Sequence, residues 1–356
     1  MILSVTRHLS PVTQDRSAIV YWLILCAALV ASMVLIGGYT RLSGSGLSIT
    51  QWKPIHGAIP PLNDAQWQEE FSAYQGSPQY QKVNQGMSLD DFKTIFWPEF
   101  IHRLLGRMIG IVFFIPLMVF ALRGSINKRF GWRLAGIFAL GGLQGLIGWL
   151  MVKSGLIDNP HVSPIRLALH LSVAFAILGL LVWAALDAAH PMLDVRGQMS
   201  KNSLTSNIRH PTSRAWFTLL SLQIILGALM AGLHAGLIYN TWPDMNGKFL
   251  PDGLFADWIT TIQFLHRTVA ILVALGFIFW WYFHREYVKN AHLGKVCAGV
   301  TLIIGVQFAL GVLTLVNAVP LNLALLHQMT GMLLFVAAVV LLKRLSFLRK
   351  QESTSN

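Results

Sequence analysis

Four histidines stand where ionisable side chains are rare. His102, His170, His266 and His327 each lie inside an apolar stretch, whereas the other eight of the twelve histidines fall in polar segments. Ionisable groups inside a hydrocarbon layer are costly, and they usually face an interior site. A lone histidine there is well explained by a helix–helix hydrogen bond or a proton relay. Four of them point elsewhere. Neutral imidazole is a common axial ligand of haem iron, and two imidazoles from facing helices complete six-coordinate iron inside a bundle. Zinc would need further Cys, His or carboxylate ligands close by, and these positions do not supply four. Haem ligation and purely structural polar contacts are therefore the two readings to compare.

The residues around the histidines add chemistry. Glu99 precedes His102 by three positions, so a helix places both on one face, and a carboxyl group there can accept protons or orient water. The matching position before His266 is Gln263, which cannot titrate. The bland alternative for Glu99 is an ion pair with Arg103 or Arg107 near the membrane surface. Arg103 and Arg267 follow the two histidines directly. They suit bidentate contacts to haem propionates, or snorkelling to lipid headgroups. Trp52, Trp97, Trp242 and Trp258 read first as interfacial anchors.

These side chains need helices to carry them. Of 356 residues, 54% are hydrophobic and 12% charged, about half the charge of a soluble domain. The apolar residues gather near 18–38, 98–122, 134–152, 165–186, 214–233, 258–283, 296–316 and 322–342, each about the length that crosses a bilayer. Within the outer loop 39–97, a short surface helix is expected near Asp64–Tyr74. Cys26 and Cys297 both fall in apolar stretches and read as small core residues.

An internal repeat orders the helices. Residues 37–52, GGYTRLSGSGLSITQW, align with 227–242, GALMAGLHAGLIYNTW; Ile101-His102-Arg103 recurs as Leu265-His266-Arg267, Gln144 and Gly148 as Gln307 and Gly311, and Leu169-His170 as Leu326-His327. The expected fold is an all-α integral membrane protein. Its eight transmembrane helices form two tandem four-helix bundles, related by a pseudo-twofold axis along the membrane normal. The expected divisions are a tail 1–17, a half 18–186, a polar linker 187–213, a half 214–342 and a tail 343–356. Within each half the repeat pairs His102 with His170 and His266 with His327, although spacing leaves cross-pairing between halves open.

Charge sets the orientation. The net charge is +12, with no nucleic-acid motif to explain it. Arg123, Lys128, Arg129 and Arg133 crowd one loop, and the linker and both tails are also basic, while the opposite loops hold only Arg41, Lys53, Lys82, Lys93, Lys153 and Lys248. The positive-inside rule puts both termini in the cytoplasm, and all four histidines then fall in the outer leaflet. Basic residues at the inner surface also favour anionic lipid.

The segments GGYTRLSGSGLSITQWKPIHGAIPP, PEFIHRLLGR, LQGLIGWLMVKSGL, NTWPDMNG, FLHR and LLHQMTG resemble the haem A synthase family in its proteobacterial and mitochondrial branch. The resemblance spans about 20–343. Another branch carries a cysteine pair in the first outer loop; none is present here. The resemblance implies oxidation of the C8 methyl group of haem O to a formyl group, giving haem A for cytochrome oxidase in the bacterial inner membrane. It implies substrate haem at His102 and His170, a resident haem b at His266 and His327, and Glu99 as the catalytic acidic residue. Implied partners are haem O, an electron-transfer partner, haem O synthase, oxidase assembly components, the bilayer and a second copy of the chain. Two other readings of the residues compete: a bis-histidine b-type electron-transfer protein with two equivalent haems, and a haem carrier without chemistry.

The charge asymmetry yields a direct expectation. Alkaline phosphatase fused after Gln85 should be active, and phosphatase fused after Lys350 inactive; the reverse pattern would overturn the orientation.

Overall fold

The computed structural model describes residues 11–52, 56–157, 159–196, 210–285 and 291–353. It is all-helical: among the described residues the sole β feature is an isolated bridge between Met245 and Lys248. Eight helices are long and apolar enough to cross a membrane, and the chain is a multi-pass membrane protein. We number them α1 (Pro11–Leu42), α2 (Leu89–Leu122), α3 (Lys128–Ser154), α4 (Pro164–Arg196), α5 (His210–Gly232), α6 (Trp258–Phe283), α7 (Ala291–Val316) and α8 (Leu321–Ser353). Helix α4 runs on to Arg196 and α5 begins at His210, so both ends of the expected linker 187–213 are helical; residues 197–209 lie outside the described residues. So do residues 1–10 of the amino-terminal tail.

Helix α2 starts nine residues before its apolar stretch. Its beginning is set by a capping box, in which the Ser88 side chain accepts from Asp91 N and the Asp91 side chain accepts from Ser88 N. The extra turns project a row of aromatic rings, Phe92, Phe96 and Phe100, against Phe71 and Tyr74. The latter two belong to a loop helix, Asp64–Gln75, capped by Asn63 and present where a surface helix was expected. Phe71 and Phe92 lie 5.2 Å apart by ring centroid, as do Tyr74 and Phe92. A small aromatic core thus fixes the loop 39–97 to the amino-terminal end of α2.

Within the membrane, α1, α4, α5 and α8 make the contacts between halves. Burial follows this: 39% of the apolar window of α4 and of α8 is buried, against 11% for α3 and α7, which face lipid. One apolar core holds Trp22, Phe113, Phe175 and Leu178 and takes Met332, Phe335 and Val339 from α8. The second holds Trp216, Val273, Phe277 and Trp280. Phe175 of α4 meets Phe335 of α8 edge to face at 5.2 Å across the seam. Cys26 and Cys297 are buried free thiols in the two different cores. Near the basic ends of the helices, Asp187 is bridged by Arg133 at 2.9 Å and by Lys343, an arrangement that joins α3, α4 and α8.

Candidate functional site

Each of the four helix-borne histidines rests against a glycine of the preceding helix. A Cβ added to Gly37 would lie 2.8 Å from Cε1 of His102, and one on Gly148 would lie 2.9 Å from Cε1 of His170. In the other half the corresponding distances are 3.2 Å for Gly227 and His266 and 2.9 Å for Gly311 and His327. Only a residue without a side chain allows a ring to come so close to a helix backbone. The contacts join α1 to α2, α3 to α4, α5 to α6 and α7 to α8. His102 and His170 are neighbours in one half, as are His266 and His327 in the other. All four rings are half-buried.

Glutamines steady three of the four. Gln144 Nε2 lies 3.4 Å from His170 Nε2 and donates to the His170 carbonyl at 2.9 Å. Gln307 Nε2 lies 3.4 Å from His327 Nε2. Gln223 Nε2 approaches His266 Nδ1 at 3.1 Å and donates to the His266 carbonyl at 3.0 Å. Met33 occupies the place of Gln223 in the first half, so His102 has no such amide. Among the described residues, Nδ1 of His102, His170 and His327 is buried and meets no hydrogen-bond partner. Buried polar atoms are rarely left so. Three imidazoles with an unpartnered nitrogen and a fourth approached only by the Gln223 amide, all set into glycine clefts, form a donor set that fits the axial ligation of haem iron.

Glu99 is buried, 3% exposed. Its Oε2 accepts from Ser48 Oγ at 2.7 Å and from Ile49 N at 2.9 Å, and its Oε1 accepts from Arg103 Nη2 at 2.6 Å. The ion pair with Arg103 considered from the sequence is therefore present. Tyr74 of the loop helix lies close enough to feel this carboxylate: burial pushes its phenol up, the Glu99 charge adds to the rise, and a hydrogen bond from Asn84 opposes it. Gln263 in the second half is fully buried and donates to the Tyr239 carbonyl at 2.9 Å. The exchange has a local cause. The first loop offers donors, a hydroxyl and an N–H, and the second offers a carbonyl. A carboxylate only accepts, whereas an amide nitrogen only donates.

The arginines repeat one contact in both halves. Arg103 donates to the carbonyls of Ile49 at 2.8 Å and Gln51 at 3.3 Å. Arg267 donates to the carbonyls of Tyr239 at 2.7 Å, Thr241 at 2.9 Å and Asp244 at 2.8 Å. Ile49 and Gln51 align with Tyr239 and Thr241 in the repeat. Each arginine thus ties an outer loop to the helix that carries a histidine. Of the four tryptophans, Trp52 packs on Trp149 of α3 at 6.1 Å, Trp242 on Phe308 of α7 at 5.5 Å and Trp97 on Trp67 of the loop helix at 5.9 Å, while Trp258 is 48% exposed at the start of α6.

With this arrangement in view, the comparison with known proteins is decisive. A family model described as "Cytochrome oxidase assembly protein" (COX15-CtaA) matches residues 20–339. The chain belongs to this family. It is 44% identical over 333 residues to the haem A synthase of Nitrosospira multiformis, covering 91% of this chain and 92% of that one. It is 46% identical over 338 residues to the haem A synthase of Maricaulis maris, covering 92% and 95%. It is 45% identical over 341 residues to the haem A synthase of Parvibaculum lavamentivorans, covering 93% and 95%. The family match encloses all four histidines and their glycines.

Sequence reasoning noted the four glycines as repeat markers but did not assign them as seats for the rings. The signal was present: Gln144 and Gly148, like Gln307 and Gly311, are four residues apart, so both members of each pair face one neighbour. Ser48 and Gln223 were missed, because neither recurs in the other half.

The clefts can be tested directly. Gly311→Ala places a methyl 2.9 Å from His327 and should reduce the haem absorbance of the purified protein severalfold. Gly305→Ala, where a Cβ meets nothing within 4 Å, should leave that absorbance unchanged.

Proposed function

We propose that this chain converts haem O to haem A by oxidising the C8 methyl group to a formyl group. The observation that carries the reading is the inequality of two similar histidine pairs, with Glu99 beside the first and Gln263 beside the second, in a chain so similar to named haem A synthases. His102 and His170 bind the substrate haem in the first half. His266 and His327 hold a resident haem b in the second half, with Gln223 and Gln307 orienting their rings. Haem b bound there supplies a redox centre. A pair of equivalent electron-transfer haems would not call for a carboxylate on one side and an amide on the other.

The oxidation proceeds through a hydroxymethyl group to a hydrated aldehyde that loses water. With water as the source of oxygen, each of the two oxidations releases two protons and two electrons. Glu99 takes protons. Its Oε2 is held by Ser48 and Ile49, whereas Oε1 meets Arg103, so Oε1 is the oxygen with room to receive one. Arg103 and Arg267 close the outer loops over the two sites. Each clamp uses three of the five guanidinium N–H donors, and among the described residues Arg267 Nε is buried without a partner, so donors remain for the propionate contacts suggested by the sequence. The protein's share is to position the ring and set the charge around it, while the porphyrin carries the difficult chemistry.

The wider setting follows from the same reading. The halves are related by a pseudo-twofold axis along the membrane normal, supported by the shared arginine–carbonyl and histidine–glycine contacts. The protein sits in the bacterial inner membrane with both termini cytoplasmic and its haem sites toward the periplasm. Haem O synthase delivers the substrate, an electron-transfer partner removes the electrons, and oxidase assembly components receive the product.

Glu99→Gln keeps an acceptor for Ser48 and Ile49 but cannot titrate. It should lower haem A formation by about a hundredfold or more, in the range of general acid–base catalysis, while leaving bound haem in place. Haem A at wild-type levels in membranes of that variant would end the assignment.

A further inference from the structure

A polar side chain links the helix that carries His327 to the helix that seats His102. Gln328 follows His327 on α8, and one residue along a helix turns the side chain by about 100°. His327 therefore faces Gly311 of α7 while Gln328 crosses the seam to α1. Its Nε2 donates to the Val34 carbonyl at 2.6 Å. Its amide also fills the space beside Gly38, where a Cβ would stand 2.4 Å from Oε1 and 2.6 Å from Nε2. The neighbouring Gly37 is the seat of His102. Two adjacent glycines of α1 thus admit two side chains from opposite sides, one the histidine of the first half and the other the residue next to the last histidine of the second.

Nothing in the repeat requires this tether. The residue that matches Gln328 is Leu171, which packs in the apolar core of the first half. The amide hydrogen bond therefore runs one way, from the resident-haem helix to the helix that seats His102. An amide–carbonyl bond of this kind adds a directional constraint on the relative height of two helices that apolar packing alone lacks.

We infer that Gln328 is a positioning residue for the substrate site: by holding α1 at Val34 and Gly38, it sets how the Gly37 backbone presents His102 to the substrate haem. This rests on the reading of the two pairs given above. Gln328 touches neither the substrate nor its ligands. It acts through α1, and it transmits the position of α8, and hence of His327, to the first pair.

The test uses the full-length protein purified with its resident haem and titrated with ferric protohaem. Binding is followed by the Soret band and by low-spin electron paramagnetic resonance, with His102→Ala/His170→Ala as the blank. Gln328→Leu installs the side chain of the matching position, and Gln328→Met keeps the length but removes the donor. Both should weaken the added protohaem by about tenfold, the cost of one buried hydrogen bond, and shift its g values, while the resident haem keeps its wild-type content and spectrum. Gly38→Ala should do the same, and should have no further effect in Gln328→Ala, where the amide is already gone. If protohaem binds wild type above the blank and both Gln328 variants match wild type, the inference falls and the reading of the sites stands. Equal loss at both sites would reduce Gln328 to a general packing role and overturn it as well. If wild type binds no more than the blank, the reading of the first pair fails and takes the inference with it.

Discussion

A half-buried imidazole in a hydrocarbon layer must sit close to a partner helix, and the rest of this structure follows from that need. Neutral histidine is a large polar ring with two nitrogens, and in lipid an unmet nitrogen is expensive. Glycine on the facing helix is what lets the ring come in under 3 Å of where a side chain would start, at Gly37, Gly148 and Gly311. The glycine fixes which helices must be neighbours: α1 with α2, α3 with α4, and the same again in the second half. It also explains why α3 and α7, otherwise exposed to lipid over most of their length, carry Gln144 and Gln307 on the side that meets a histidine.

On this common frame the halves diverge through their outer loops. Both loops are tied down by an arginine next to a histidine. The first loop turns a hydroxyl and an N–H toward the bundle and so stabilises a carboxylate at position 99; the second turns a carbonyl inward and so requires a donor at position 263. Backbone direction in two short loop segments therefore decides which half can hold a proton acceptor. The aromatic core of Phe71, Tyr74, Phe92 and Phe96 holds the first loop in that orientation, which gives its length a purpose.

Much of this was legible in the residues. The apolar stretches gave eight helices, the histidines stood out by their surroundings, and the repeat supplied a partner for each. The Glu99–Gln263 difference was visible because the repeat made the two positions comparable. The loop helix at Asp64–Gln75 announced itself by composition. What stayed hidden depends on contacts between segments far apart in the chain. Ser48 reaches Glu99 across 51 positions and Gln328 reaches Val34 across 294, and no local pattern marks either. The start of α2 was misplaced because hydropathy measures the membrane layer, whereas the helix begins at the Ser88 cap outside it. Arg103 was open to three readings, since an arginine at the interface suits propionate, lipid and a neighbouring carboxylate alike, and its contacts to the Ile49 and Gln51 carbonyls depend on the path of the loop.

The central claim is that one histidine pair keeps its haem and the other presents haem for oxidation. Haem extracted from the purified protein and weighed by mass spectrometry measures this most directly, with the pairs removed in turn. His102→Ala/His170→Ala should retain one haem b per chain and contain no hydroxymethyl or formyl haem, while His266→Ala/His327→Ala should lose that haem b. Equal losses of unmodified haem b from the two variants, with no oxidised haem on the wild-type protein, would contradict it.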